Sequence, residues 1–252
     1  MEISFMEDLS RLIEKKAASS VKFNGIYYPA NSVCEAAYQP IVRLSFGNDD
    51  YPEYPLSFFG SATKIKQGNK YVLLTTAHQY KAHGIENVML ETKSSKHWTS
   101  GSAFIGEVKA DGELDLVLID FSKSVNSGEV SKSGWIKFDN DTHYQELVGC
   151  IAMGYPSAIN NSYADTETIK TSCTALLGEL IEAKIPHRKT IQLESRLEYE
   201  ADGLSGGPVF LVCRSGKEFS LEFGGIMTNA NRQIIHFVHS NHVQTLLEEL
   251  DN

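Results

Sequence analysis

Gly203, Leu204, Ser205, Gly206, Gly207 and Pro208 follow one another in this sequence, inside the longer run ADGLSGGPVF. Glycine tolerates positive φ and lets other atoms approach the main chain closely. Ser205 can therefore sit on a tight turn with its hydroxyl exposed, while the turn aims backbone N–H groups at one point. Those are the parts of an acyl-transfer site, a nucleophile beside a pocket for the developing oxyanion. A serine is a weak nucleophile until a base takes its proton, so the reading requires a histidine held by a carboxylate.

The chain has eight histidines. His78 ends the apolar run KYVLLTTAHQY, where a ring emerging past Thr75, Thr76 and Ala77 reaches a cleft while its backbone stays anchored in a sheet. His83, His97, His143 and His187 lie among polar, charged or turn residues and read as surface groups. His236, His239 and His242 recur in HFVHSNH at a spacing that invites a metal, but the segment runs from strand into helix cap and the side chains need not converge. No metal site and no cofactor is expected. For the acid, GELDLVLIDF offers Glu113, Asp115 and Asp120. Asp115 opens the apolar run and is drawn inward with it, where a buried acid accepts an imidazole Nδ1–H. Asp120, before Phe121, is its rival.

Short apolar runs rich in Val, Ile, Tyr, Phe and Thr alternate with Gly, Asn, Asp and Pro, from VKFNGIYYP through SFFGSATKI and KYVLLTTA to LDLVLIDF. This pattern predicts many short strands. A second set runs from GWIKF and ELVGCIAMGYP to GPVFLVC, SLEFGGIMT and QIIHFVH. The expected fold is all-β, two six-stranded antiparallel β-barrels with a short helix at each end. Residues 1–20 are read as an amphipathic helix and 21–121 as the first barrel lobe, with His78 and Asp115. Residues 122–135, rich in Ser, Lys and Gly, are read as the crossing between lobes. Residues 136–239 form the second lobe with Ser205, and 240–252 a closing helix with Val243, Leu246, Leu247 and Leu250 at helical spacing.

At 252 residues and 42% hydrophobic the chain can bury a sizeable core. A net charge of −9 and a pI near 5.4, with no Lys/Arg cluster, oppose nucleic acid as a partner. The start MEISFMEDLSRLIEKK lacks the uninterrupted apolar run of an export signal, and no membrane partner is expected. Cys34, Cys150, Cys173 and Cys213 form no CxxC pair, which argues for free thiols and a cytoplasmic location.

TTAH with His78, DLVLI headed by Asp115 and GLSGGPVF with Ser205 occur in the order His, Asp, Ser. In this the sequence resembles the chymotrypsin-like (trypsin-fold, PA clan) serine peptidases, and FFGSATKI, GYP and GGIMT match strands of that family over residues 22–250. It is most similar to the bacterial-type trypsin-like peptidase domains. The competing G-x-S-x-G elbow of α/β hydrolases requires a helix after the serine, whereas GPVFLV reads as a strand.

The resemblance implies a serine endopeptidase acting on protein or peptide substrates. His78 would be the general base, Asp115 its orienting acid, and the N–H groups of Gly203 and Ser205 the oxyanion hole. Thr228 stands where the family places a hydroxyl bonded to the buried aspartate, and residues 228–230 would pair with an extended substrate. Tyr199 would form the base of the primary pocket, with Asn229, Ala230 and His236 on its walls. An unrestrained intracellular peptidase is toxic, which points to a regulatory protein partner. Two departures stand out: Leu204 replaces the aspartate that pairs with a freed N-terminus in zymogen-type members, and Gln79 replaces a disulfide cysteine. The alternative function is a catalytically weak or inactive module that binds extended peptides in the same cleft.

Overall fold

The structure, a computed structural model, describes residues 20–47, 56–82, 88–91, 98–100, 103–105, 114–138, 146–160, 163–164 and 172–249. The helix expected near the N-terminus falls outside them, as do His83, His97, Glu113, His143 and Leu250. The first half forms β1 (Ser20–Phe23), β2 (Ile26–Pro29), α1 (Val33–Tyr38), β3 (Ile41–Gly47), β4 (Leu56–Gln67), β5 (Lys70–Thr76), α2 (Ala77–Ala82), β6 (Val88–Glu91), β7 (Trp98–Ser100), β8 (Ala103–Ile105), β9 (Leu116–Asp120), α3 (Ser122–Asn126) and β10 (Ile136–Lys137). The second half continues with β11 (Glu146–Gly154), a 3-10 turn (Ser157–Ile159), β12 (Tyr163–Ala164), β13 (Thr174–Ile181), β14 (Arg188–Leu193), β15 (Pro208–Ser215), β16 (Glu218–Ala230), β17 (Ile234–His239) and α4 (Ser240–Glu249).

The strands β15, β11, β13, β14, β17 and β16 pair antiparallel in that order, and β15 pairs with β16 to close a six-stranded barrel. The other sheet runs β7-β6-β3-β4-β5-β9-β8. The all-β architecture with a C-terminal helix agrees with the strand pattern of the sequence. In α4 the expected face is buried through Val243, Leu246 and Leu247.

Strand periodicity explains why KYVLLTT and DLVLID read as unbroken apolar runs. Tyr71, Leu73, Val117 and Ile119 point into the core of the first lobe, whereas the alternate residues Val72, Leu74, Leu116 and Leu118 point into a core shared between the lobes. A strand buried on both faces has no polar side to show. Burial on both faces also fixes β5 and β9 firmly, and their ends carry His78 and Asp115.

The two halves exchange strands, which the sequence map did not anticipate. The β1–β2 hairpin turns at Asn24 (φ 53°) and Gly25 (φ 80°), a pair of positive-φ residues that suits a two-residue hairpin. It joins the closed barrel through parallel pairing of β1 with β16. Phe23 meets Phe210 edge-on there, with ring centroids 5.4 Å apart. In return, β10 and β12 pair with β4 of the other sheet. The segment 122–135 holds α3, and its few apolar residues, Val125, Val130 and Trp135, are buried in the first-lobe core.

All four cysteines are free thiols; Cys34 is exposed and Cys150 and Cys213 are buried. Burial pushes the Cys150 thiol up to about 11 and those of Cys173 and Cys213 to about 12. A disulfide-forming reagent such as DTNB at pH 8 is expected to modify Cys34 promptly in the native protein, and the other three only after denaturation. Prompt reaction of more than one thiol would contradict this burial. No described helix is long and apolar enough to cross a membrane.

Candidate active site

The register of β5 against β9 pairs Thr76 with Leu116, so the residues just beyond it, on α2 and before β9, must meet. Asp115 holds φ at 56°, a left-handed conformation that aspartate tolerates better than most residues. From there both of its carboxylate oxygens reach His78. Oδ1 accepts the His78 backbone N–H at 2.9 Å, and Oδ2 lies 2.6 Å from Nδ1. The Asp115 carbonyl accepts the Ala77 N–H at 3.1 Å. Three bonds thus tie Asp115 to the start of α2, one of them to the imidazole itself. With Nδ1–H directed at a carboxylate, Nε2 is the ring nitrogen left to act as a base. The rival Asp120 pairs with Val72 at the opposite end of β9, and its Oδ1 accepts the Ser122 N–H at 2.7 Å. Five residues of strand put it about 17 Å from Asp115.

Ser205 follows a loop whose carbonyls are held one by one. Ala201 O accepts Leu204 N–H, Asp202 O accepts Ser157 N–H at 2.7 Å, and Leu204 O accepts Gly207 N–H. Gly203 O accepts the Ser61 hydroxyl at 2.7 Å, and Gly206 O accepts the Thr63 hydroxyl at 2.9 Å. Ser61 N–H also donates to Ser205 O, at 3.1 Å. In a trans peptide the N–H points away from the preceding carbonyl, so holding Asp202 O and Leu204 O aims Gly203 N–H and Ser205 N–H the other way. Neither N–H has an acceptor among the described residues. Gly203 has φ +89°, and a Cβ there would lie 2.6 Å from Tyr155 O; at Gly206 it would lie 2.0 Å from Ser61 O. Both positions require glycine.

His78, Asp115, Ser205 and Gly203 line one cleft of about 470 Å³, with Thr228, Asn229 and Ala230 on a wall. The Ser205 hydroxyl donates to Thr228 O at 3.3 Å and makes no bond to the imidazole. Two residues expected in the pocket, Tyr199 at its base and His236 on a wall, lie elsewhere. The Tyr199 hydroxyl turns to Thr174 Oγ1, 3.4 Å away, and its ring packs on the second-lobe core, because the loop before Ser205 folds so that Ala201 and Asp202 face the cleft instead. His236 is on β17 with Nδ1 3.0 Å from Thr190 Oγ1, outside the cleft lining. Burial, and after it the Arg188 charge, holds its imidazole below the ordinary range. His239 Nδ1 accepts Asn241 N–H, and the His242 ring stacks edge-on against His187.

Thr228 also departs from expectation. Its Oγ1 donates to His236 O at 3.4 Å and accepts from Arg188 Nη1 at 2.7 Å, rather than bonding Asp115. Arg188 lines the cleft. Sequence reading passed over it because it stands in the turn-like run IPHRKT, and only the pairing of β14 with β17 carries its side chain to Thr228.

No protein-family model matches the sequence, and no curated protein sequence matches it. Solved structures do. One is human heparin binding protein, with a TM-score of 0.56 and 14% identity over 86% of this chain and 93% of that one. Another is kallikrein-related peptidase 10, with a TM-score of 0.52 and 12% identity over 85% of this chain and 96% of that one. The fold is chymotrypsin-like.

A chymotrypsin-like frame excludes the α/β-hydrolase elbow, and the residues after Ser205 indeed enter strand β15. The two departures from the peptidase pattern have local explanations within this frame. Leu204 is fully buried in the second-lobe core, so burial of an apolar side chain anchors the loop at a position where zymogen-type members use an ion pair. Gln79 lies over Gly60 and accepts the Thr75 hydroxyl at 3.3 Å, joining strand to helix without a disulfide.

Proposed function

We propose that this chymotrypsin-like chain is a serine endopeptidase. The observation that carries the reading is the pair of unclaimed N–H groups at Gly203 and Ser205, held beside Ser205 Oγ in the cleft that holds the His78–Asp115 pair. Rotation about χ1 swings the Ser205 hydroxyl from Thr228 O toward His78 Nε2, and catalytic hydrogen bonds of this kind commonly tighten only with substrate in place. His78 then takes the proton as Oγ attacks the peptide carbonyl, and returns it to the leaving amine. Asp115 holds the tautomer and stabilises the imidazolium. The oxyanion accepts from Gly203 and Ser205 N–H, each worth about 3–4 kcal/mol in comparable sites. Water repeats the sequence on the acyl-enzyme.

An extended substrate fits the open edge of residues 228–230. These residues pair with β17 through Asn229–His236 and Ala230–Ile235, while pairing with β15 stops at Ile226. The free edge can accept a peptide as an added strand. A fluorophosphonate probe tests the reading: stoichiometric labelling of the folded protein supports it. Absence of labelling at equal folded fraction favours instead a peptide-binding module without hydrolysis, a second reading supported by the resting bond of Ser205 to Thr228 O rather than to His78.

Ser61 is a positioning residue in this scheme. Its buried hydroxyl donates to Gly203 O and accepts Tyr155 N–H at 2.8 Å. Ser61→Ala leaves both groups unpaired, which costs about 1–3 kcal/mol. The expected result is a lower denaturation midpoint together with slower probe labelling. A variant with unchanged labelling rate would remove Ser61 from the machinery.

A further inference from the structure

We propose that Arg188 is a specificity-determining residue that selects substrates carrying a carboxylate, an inference that rests on the cleft being the seat of an extended peptide. Arg188 stands at the start of β14 and reaches over β17 to the cleft, where Nη1 donates to Thr228 Oγ1 at 2.7 Å. Thr228 also carries the carbonyl that holds the Ser205 hydroxyl, so the guanidinium is anchored two bonds from the nucleophile.

Among the described residues Arg188 has no carboxylate partner. It makes no ion pair among the described residues, although the chain carries 32 acidic residues against 23 basic ones. The described residues lining the cleft include two acids. Both oxygens of Asp115 are committed to His78, and Asp202 is exposed at the rim. A guanidinium has five N–H donors in a fixed fork, and one of them is spent on Thr228. The remaining donors suit the two oxygens of a carboxylate, which arginine binds in a bidentate manner. Two groups on a peptide supply that chemistry, an Asp or Glu side chain and the C-terminal carboxylate.

The test measures binding by fluorescence anisotropy in Ser205→Ala protein, where no peptide is cleaved. The probes are labelled extended peptides, amidated and carrying Asp or Glu, their Asn or Gln isosteres, and neutral peptides with a free C-terminus. The expected result is a Kd about tenfold or more lower for the carboxylate-bearing peptides than for the neutral amidated ones. Preference within the amidated set identifies a side chain as the source, and preference confined to the unamidated set identifies the chain end. Arg188→Gln should erase the preference, Arg188→Lys retain part of it, and Arg188→Glu shift it toward Lys-containing peptides. A merely structural Arg188 would weaken all peptides alike. Equal affinities in the Ser205→Ala protein, no binding up to millimolar peptide, or a preference that survives Arg188→Gln overturns the proposal. Probe labelling of the unmutated protein reports separately on whether the cleft is hydrolytic. Comparing isosteres within one protein keeps the test valid if an Arg188 variant fails to fold.

Discussion

Ser205→Ala is expected to abolish fluorophosphonate labelling and to lower kcat for peptide hydrolysis about a million-fold, the usual loss when such a nucleophile is removed. The substitution deletes one hydroxyl oxygen whose only hydrogen bond among the described residues is the 3.3 Å contact to Thr228 O. The loop around it is held by its carbonyls and by buried Leu204, so the melting temperature should stay close to that of the unmutated protein. That combination separates chemistry from folding. Peptide cleavage by Ser205→Ala at the original rate would mean that another residue is the nucleophile.

His78→Ala should be comparably damaging, and Asp115→Asn should lower kcat about ten-thousand-fold. An asparagine offers only one acceptor oxygen, and Asp115 uses two, one for the His78 backbone N–H and one for Nδ1. The amide NH₂ would face one of these donors, favouring the imidazole tautomer with its proton on Nε2, where it cannot take the serine proton. Asp120→Asn is the control. Its carboxylate bonds Ser122 N–H at the other end of β9, and it should leave kcat within a few-fold of the original. Damage at Asp120 equal to that at Asp115 would refute the assignment of the acid.

Much of this site was legible in the sequence because its parts are local. His78 and Asp115 sit at ends of strands whose apolar character is plain, and the glycines around Ser205 announce a turn that only glycine can make. What could not be read were the contacts made across sheets. Ser61 and Thr63 are small hydroxyls inside a strand with nothing to mark them, yet each bonds a carbonyl of a loop more than a hundred residues away. Arg188 reaches the cleft because of the order β14-β17-β16, which no local spacing encodes. The resemblance puts Tyr199 at the base of the primary pocket only if the loop before Ser205 keeps the family's shape. The Tyr199 ring packs against the second-lobe core instead.

The control of such a site follows from how its loop is ordered. Leu204 contributes about 1.5–3 kcal/mol by burial, and the Ser61, Thr63 and Ser157 bonds come from within the same chain. A loop assembled this way needs no freed α-amino group to complete it. Any restraint on the proposed activity would then act by covering the cleft or withholding substrate.

The reciprocal strand exchange makes neither half a portable module. A piece cut out at 122–135 would leave the closed barrel without the hairpin that caps β16 and strip β4 of two of its neighbours. Grafting one lobe onto a foreign partner therefore leaves unpaired strand edges on both sides of the cut. The smallest heritable unit of this molecule is the interlocked pair.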